Sequence, residues 1–301
     1  MTTLKQAEMP TSYYVPASSQ LPIIASTALF MLAFGAATSI NGMTAQSGSD
    51  LGFWLLIGGA LLMAWVVYRW FATVASESIQ GLYSRQMDRS FRWGMSWFIF
   101  SEVMFFAAFF GALFYIRTFA VPWLGGEGDK ASANMLWQGF SAQWPLMQTP
   151  DMVRYPGPSA VISPWGIPLL NTVLLLSSSI TLTIAHKALK LKNRGRIKLW
   201  LGLTVLLGLA FIGFQAEEYI AAYTELNLTL ESGIYGSTFF ILTGFHGLHV
   251  TIGTLMLIVM LVRIYKGHFS GNNHFGFEAV SWYWHFVDVV WVGLFLFVYI
   301  L

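Results

Sequence analysis

The stretches GSTFFILTGFHGLHVTIG (236–253) and HFGFEAVSWYWHFVDVVW (274–291) belong to two long apolar runs near the end of the chain. Each run supplies the roughly 20 apolar residues that a helix needs to cross the hydrocarbon core of a bilayer. Three histidines and one aspartate stand in these runs at positions that a bilayer would surround. Polar side chains at that depth are costly and usually have a function, so these residues are the first candidates for a site.

The composition excludes a water-soluble globular protein. Of the 301 residues, 56% are hydrophobic and 10% are charged, whereas soluble domains carry roughly 25% charged residues. Backbone polar groups in lipid must be satisfied within their own segment, so the apolar runs should be helices. We therefore predict an all-α polytopic membrane protein with seven transmembrane helices. The seven runs cover about 21–43, 51–72, 91–118, 167–189, 198–222, 234–264 and 278–301.

The runs divide the chain into three predicted parts. Residues 1–20 form a polar N-terminal segment that lacks the layout of a cleaved signal. Residues 21–75 form a two-helix transmembrane hairpin, and residues 76–301 form a five-helix transmembrane bundle. The connection 119–166 is rich in Gly, Pro and Trp and has no helical period, so we expect an extramembrane loop.

An amphipathic pattern follows the second run. Apolar residues recur at helical spacing among charged ones, at Ile79, Leu82, Tyr83, Met87 and Phe91. This pattern indicates either an interfacial amphipathic helix or an extension of the third transmembrane helix.

The distribution of basic residues predicts the orientation. With the N-terminus placed inside, 13 of the 16 lysines and arginines fall in inner segments. Inner segments of membrane proteins are enriched in these residues, so we expect the N-terminus inside and the C-terminus outside. Glu217 and Glu218 end the fifth run on the outer side, where we expect a solvated helix end.

The chain contains no cysteine. This excludes disulfides, Fe–S clusters, covalent c-type haem and any thiolate-ligated copper centre. We expect no nucleic-acid partner.

Glu102 lies well inside the third run, in SEVMFFAAFF. A carboxylate there costs about 3 kcal/mol on insertion scales, so it should be protonated or paired. It is either a proton-handling group or a neutral acid that holds helices together. His246 and His249, three residues apart on one helix face, permit joint metal ligation. The glycines beside them favour close helix packing instead, and one of the two histidines is the natural partner of Glu102.

His285 and Asp288 form a second i, i+3 pair, which we interpret as a buried polar pair without a ligand. His186, His268 and His274 are most simply interfacial. Arg263 ends the sixth run, where an arginine commonly binds a lipid phosphate.

Four strings carry a family resemblance. They are RWGMSWFIFSEVMFF (92–106), QAEEY (215–219) and the two stretches 236–253 and 274–291. With them the chain closely resembles subunit III of the haem–copper cytochrome c oxidases over nearly its whole length. The extended N-terminus and the long loop are similar to those of bacterial members.

The resemblance implies a fold with two helices set in a V against a bundle of five, with phospholipid in the cleft along a possible O2 route. It implies a subunit without catalytic residues, resident metal or redox cofactor. This subunit stabilises subunit I and sustains its proton uptake. The haems and copper belong to subunits I and II of a complex that oxidises cytochrome c, reduces O2 to water and pumps protons. Glu102 matches the family's intramembrane glutamate and Arg263 its lipid-binding arginine, and we assign His274 to lipid as well.

Three other interpretations compete with this one. Subunit III of a quinol oxidase or a nitric-oxide-reductase-associated homologue is an alternative within the family, although such subunits often have five spans. A proton-coupled transporter would also place Glu102 in the membrane, but it predicts internal repeats that the sequence lacks. A metal- or haem-binding membrane enzyme would use His246, His249 and His285. We favour the oxidase subunit, in a bacterial cytoplasmic membrane with a cytoplasmic N-terminus and a periplasmic C-terminus.

Overall fold

The computed structural model describes residues 13–45, 50–269 and 274–301. Its described residues form helices and irregular connections, without a strand. The helices are α1 Leu21–Ala45, α2 Leu51–Ile79, α3 Arg85–Tyr115, α4 Val121–Leu124, α5 Ala131–Leu136, α6 Ile167–Lys190, α7 Arg194–Glu225, α8 Gly233–Tyr265 and α9 Phe275–Leu294. Two π-helical turns, Ile116–Ala120 and Phe295–Ile300, continue α3 and α9.

Seven of these helices are long and apolar enough to cross a membrane, which confirms the predicted all-α class and number of spans. The third begins earlier than predicted: α3 starts at Arg85, and Met87 and Phe91 belong to it. Leu82 and Tyr83 lie in the short connection from α2. The amphipathic pattern is therefore mainly an extension of the third helix.

The chain divides into two compact units, Met1–Phe91 and Arg92–Leu301. The boundaries and the V arrangement predicted from the sequence stay predictions. In the first unit, α1 and α2 pack closely: a Cβ on Gly59 would lie 2.9 Å from the backbone nitrogen of Leu32. Of the predicted N-terminal segment 1–20, residues 1–12 lie outside the described part of the chain.

Glu77 organises the end of α2 within the first unit. The hydroxyl groups of Tyr14 and Tyr83 donate hydrogen bonds to its two carboxylate oxygens, at 3.2 and 2.8 Å. Partial burial raises the pKa of Tyr83, and the negative Glu77 raises it further. The contact therefore stays intact through neutral pH.

In the second unit, α9 is the central helix. Half of its most apolar stretch is buried, against 11% for α3. The side chains of Trp284 and Trp291 are completely buried, and each indole N–H donates to a hydroxyl group on α6. The acceptors are Ser178 and Thr172, both at 2.9 Å. These bonds satisfy the indole donors away from water and align α9 with α6.

Two glycines make room for Trp284. A Cβ on Gly208 of α7 would lie 2.9 Å from the indole, and one on Gly253 of α8 would lie 2.8 Å from it. Real Cβ atoms do not approach other atoms this closely, so both positions require glycine. Three helices thus close around one tryptophan.

The connection 119–166 contains the short helices α4 and α5 followed by irregular chain. It is attached to the turn between α7 and α8. The Ser159 amide donates to the carbonyl of Leu226 at 2.8 Å, and the Asn227 side chain donates to the Ser159 hydroxyl at 3.0 Å. The loop is an ordered part of the second unit.

We expect Gly253→Ala to destabilise the folded chain and Gly247→Ala, in the same helix, to leave its stability unchanged or raise it. Overpacking against Trp284 costs about 1–3 kcal/mol. Among the described residues, a Cβ added to Gly247 would meet no atom within 4 Å apart from its chain neighbours and the adjoining backbone of its own helix. Thermal unfolding of both variants in one detergent, followed by circular dichroism, measures the difference. Equal midpoints would contradict the close packing of α8 on Trp284.

Candidate functional site

Glu102 on α3 contacts His249 on α8. Its Oε2 lies 3.0 Å from Nε2 of His249, and the two side chains are 23% and 12% exposed within this chain. The other histidine of the GFHGLH motif does not contact this carboxyl group. Of the two histidines predicted as partners of Glu102, His249 is the one in contact with it. This contact links α3 to α8.

The second ring nitrogen of His249 defines its protonation. Nδ1 lies 2.6 Å from the carbonyl oxygen of Phe245. A carbonyl oxygen only accepts hydrogen bonds, so Nδ1 must carry a hydrogen. Either the Glu102 carboxyl donates to a neutral His249, or a doubly protonated His249 donates to a Glu102 carboxylate. In both forms the pair shares one proton and carries no net charge.

Aromatic rings surround this pair. The ring of Phe106 lies 5.1 Å from that of His249, and the ring of Tyr283 stacks on it at 6.3 Å with an interplanar angle of 17°. Phe286 approaches from α9 at 6.5 Å. An apolar shell of this kind makes an uncompensated charge expensive and strengthens the hydrogen bond inside it. The aromatic shell therefore favours a pair that keeps its shared proton over a pair that loses this proton and carries a net charge.

His246 faces a different helix. It is 1% exposed, and its Nε2 lies 3.2 Å from the carbonyl oxygen of Val287 on α9. Its ring contacts those of Phe211 and Trp291. The i, i+3 spacing thus sends the two histidines to two neighbours, α9 and α3, and they do not converge on a common point.

His285 lies between a hydroxyl group and a carboxylate. Its Nδ1 is 2.6 Å from the Ser179 hydroxyl on α6 and 3.6 Å from Oδ2 of Asp288. The Asp288 side chain is 6% exposed and that of His285 is 40% exposed. The sequence predicts a buried pair, and within this chain only the aspartate is buried. Because Ser179 belongs to the neighbouring helix, the contact of His285 links α9 to α6.

Arg263 ends α8 next to the start of α9. Its guanidinium lies 4.5 Å over the ring of Phe269, and a Cβ on Gly276 would lie 3.5 Å from one of its nitrogens. Partial burial lowers the pKa of His268, and the positive charges of Arg263 and Lys266 lower it further. Positive charges therefore surround His268 at this end of the unit, and Phe269 holds the Arg263 guanidinium in place.

His274 is engaged elsewhere. Its Nε2 lies 3.1 Å from Oε1 of Glu278, and Nε2 of His186 on α6 lies 3.5 Å from the same oxygen. Arg92 binds the other oxygen of Glu278 at 2.6 Å. From the sequence we predict interfacial positions for both histidines and a lipid contact for His274, and no role for Glu278 or Arg92. The i, i+4 spacing of His274 and Glu278 was the available signal.

Glu218 is a second carboxyl that the sequence analysis missed. The prediction of a solvated helix end is wrong for this residue, which is 3% exposed, although Glu217 is exposed. The Tyr299 hydroxyl donates to its Oε1 at 2.6 Å, and the Gln215 amide donates to the same oxygen at 3.3 Å. The π-helical turn after α9 brings Tyr299 over α7 and covers the acid.

Comparisons with known proteins agree with this architecture. The family model described as cytochrome c oxidase subunit III matches residues 11–128 and 133–301. The chain is 42% identical over 271 residues to the cytochrome c oxidase subunit 3 of Drosophila melanogaster, covering 89% of this chain and 90% of that one. It is 40% identical over 282 residues to that of Prototheca wickerhamii, covering 93% and 94%. For Latimeria chalumnae the identity is 40% over 291 residues, covering 96% of each chain.

The match extends over the helices that carry Glu102, His246, His249, His285 and Arg263. The polar contacts between these helices therefore lie inside the matched region, and the chain belongs to the cytochrome c oxidase subunit III family.

Proposed function

We propose that this chain is the subunit III of a proton-pumping cytochrome c oxidase and contains no redox centre itself. The family membership over nearly the whole chain carries this proposal. Its partners are subunits I and II, which hold the haems and copper, with cytochrome c as the electron donor to the complex. The subunit stabilises subunit I, sustains its proton uptake and holds structural phospholipid along a possible O2 route.

The intramembrane histidines bind other groups of the chain, and the contacts of His249 support a non-redox role. His246 bonds to the carbonyl of Val287, His249 to the carbonyl of Phe245 and to Glu102, and His285 to Ser179. A haem or copper ligand needs a ring nitrogen free to face the metal. His249 in particular uses both ring nitrogens in contacts within the chain, so it is built as a packing residue.

We propose that Glu102 and His249 hold α3 and α8 together through the proton that they share. We call this hydrogen-bonded pair the fastener. The 3.0 Å contact, the obligatory hydrogen on Nδ1 of His249 and the aromatic shell support this role. A shared proton lets two ionisable groups remain in an apolar environment without net charge. The fastener would fix the face of α3 that this chain presents to its partners.

We propose that Arg263 binds a phospholipid phosphate. Phe269 stacks on its guanidinium, which lowers the entropy lost when the group binds an anion. His274 fits this role less well than the sequence suggests, because its Nε2 lies 3.1 Å from the Glu278 carboxylate, which repels phosphate. We therefore assign the lipid contact to Arg263 and leave His274 to its cluster with Glu278.

The orientation rests on the basic residues. We propose a multi-pass protein of a bacterial cytoplasmic membrane, with the N-terminus in the cytoplasm and the C-terminus in the periplasm. The asymmetry of 13 basic residues out of 16 supports the orientation.

Purification in mild detergent tests the proposed function. We expect the tagged full-length chain to co-purify with subunits I and II in a complex whose optical spectrum shows haem and copper. The chain should be colourless after it is dissociated from them. Stoichiometric haem or copper in the dissociated chain would contradict a subunit without a redox centre.

We expect Glu102→Gln to keep the fastener and Glu102→Leu to weaken it. The amide of glutamine can donate to Nε2 of a neutral His249, whereas leucine leaves that nitrogen without its partner, at a cost of about 1–3 kcal/mol. Thermal unfolding of the isolated chain and recovery of the assembled complex measure the two effects. Infrared spectroscopy should show a protonated-carboxyl band that disappears in Glu102→Gln.

Loss of assembly in Glu102→Gln, with Glu102→Leu no worse, would contradict a neutral shared proton. It would favour the ion pair, which glutamine cannot reproduce.

We expect Arg263→Ala to reduce the phospholipid retained by the purified complex and to shorten its active lifetime during turnover, with little change in initial rate. Arg263→Lys should retain an intermediate amount, because a lysine keeps the charge but loses the planar fork. Arg154→Ala is the matched control, since Arg154 also stacks on an aromatic ring, 5.5 Å from that of Tyr155, but in the extramembrane loop. Mass spectrometry of bound lipid gives the measurement, and equal lipid content in Arg263→Ala and Arg154→Ala would refute the assignment.

A further inference from the structure

Three side chains with metal-ligating atoms meet where α6 ends and α9 begins. They are His186 in the last turns of α6, His274 directly before α9 and Glu278 in the first turn of α9. Nε2 of each histidine and one carboxylate oxygen all lie within 4.8 Å of one another. All three residues belong to the second unit, so their arrangement does not depend on the position of the first.

The ligating atoms are unusually available for buried polar groups. Nε2 of His186 and Nε2 of His274 are both buried without a hydrogen-bond partner in the described part of the chain. Buried polar atoms normally have a partner, and an unpaired one indicates a missing water or ion. Neither nitrogen makes a well-directed hydrogen bond to Glu278 despite lying 3.1–3.5 Å from its Oε1. If each ring carries its hydrogen on Nδ1, the lone pairs of both Nε2 atoms face a ligand between them.

The distances fit a small tetrahedral cation. Metal–ligand bonds of about 2.0–2.1 Å at tetrahedral angles place neighbouring ligand atoms roughly 3.3–3.4 Å apart. The two histidine-to-carboxylate distances, 3.5 and 3.1 Å, bracket this value. The two histidine nitrogens lie within 4.8 Å of each other, and side-chain rotation can bring them to this spacing because His186 and His274 are 22% and 11% exposed.

The positively charged side chains near the cluster limit its affinity for a metal ion. Arg92 occupies Oε2 of Glu278 at 2.6 Å and leaves Oε1 for a metal. A carboxylate held in this way is oriented but donates less charge. Lys190 lies one helical turn beyond His186 and adds a further positive charge. Two imidazoles and one carboxylate favour Zn²⁺ over Ca²⁺ or Mg²⁺, which prefer sites made of oxygen ligands.

We propose that His186, His274 and Glu278 form a Zn²⁺ site that joins the end of α6 to the start of α9, with water as the fourth ligand. The side chains of His186 and His274 are 22% and 11% exposed, so rotation of these side chains opens a path from the surface to their buried Nε2 atoms. The site acts as a cross-link between two helices. Arg92 competes with the metal for Glu278 and limits its affinity.

Titration of the full-length, chelator-treated chain in detergent with Co²⁺ tests this site. Tetrahedral Co²⁺ with nitrogen and oxygen ligands absorbs visible light far more strongly than octahedral aqueous Co²⁺, so the spectrum reports the geometry directly. We expect one equivalent to bind with a tetrahedral spectrum and to be displaced by Zn²⁺. His186→Asn and Glu278→Gln should each weaken binding at least about tenfold, the loss that even an outer-shell change causes.

His268→Asn is the matched control. His268 follows the C-terminal end of α8 and is not part of the cluster, so its replacement should leave Co²⁺ binding unchanged. Far-UV circular dichroism of each variant establishes that it is folded. Equal affinity in the wild type, His186→Asn and Glu278→Gln, or a purely octahedral spectrum, would overturn the proposal.

Arg92→Gln provides a test in the opposite direction. Removing the competing guanidinium should raise the Co²⁺ affinity several-fold, whereas a purely structural ion-pair cluster predicts no tighter binding. Zn²⁺ should also raise the thermal unfolding midpoint of the wild type and of Arg92→Gln, but not of His186→Asn. Unchanged Co²⁺ binding by a folded Arg92→Gln chain would overturn the assignment of Glu278 as a ligand.

Discussion

Polar groups inside membrane-spanning helices must find partners within the protein, and in the second unit several of these partners belong to other helices. Glu102 reaches His249 from α3 to α8, Trp284 reaches Ser178 from α9 to α6, and Tyr299 reaches Glu218 on α7. Each bond removes a desolvation cost that lipid cannot remove. Because every such contact joins two elements, the requirement for satisfaction also defines which helix faces which.

The helix α9 combines these contacts. Its two tryptophans are fully buried and bond to α6, while Gly208 and Gly253 let α7 and α8 approach one of them. Without a hydrophobic driving force between helices in lipid, association depends on such close packing and on interhelical hydrogen bonds. The hydrogen bonds of the α9 tryptophans and the glycines of the facing helices thus act together to pack α9 against α6, α7 and α8.

The histidines show how context decides chemistry. Nδ1 of His249 must carry a hydrogen because it faces a carbonyl oxygen, and this leaves Nε2 for one shared proton with Glu102. Nε2 of His246 faces a carbonyl oxygen as well. In His186 and His274 the Nε2 atoms both lie close to the Glu278 carboxylate, and we propose that these three groups bind a metal ion. The partner that each histidine meets therefore decides whether it holds two helices together or can serve as a ligand.

The length and recurrence of the apolar runs were enough to predict an all-α membrane protein with seven spans, and the strings around Glu102 and in the last two spans were enough to predict the family. Bilayer thickness and backbone satisfaction act along the chain, so a linear pattern contains them. The sequence also indicated that a histidine pairs with Glu102, but both His246 and His249 remained candidates. The burial of Glu218, the exposure of His285 and the cluster of His186, His274 and Glu278 came only from tertiary structure. Each of them depends on which helix faces which, and that is decided by packing between residues far apart in the chain.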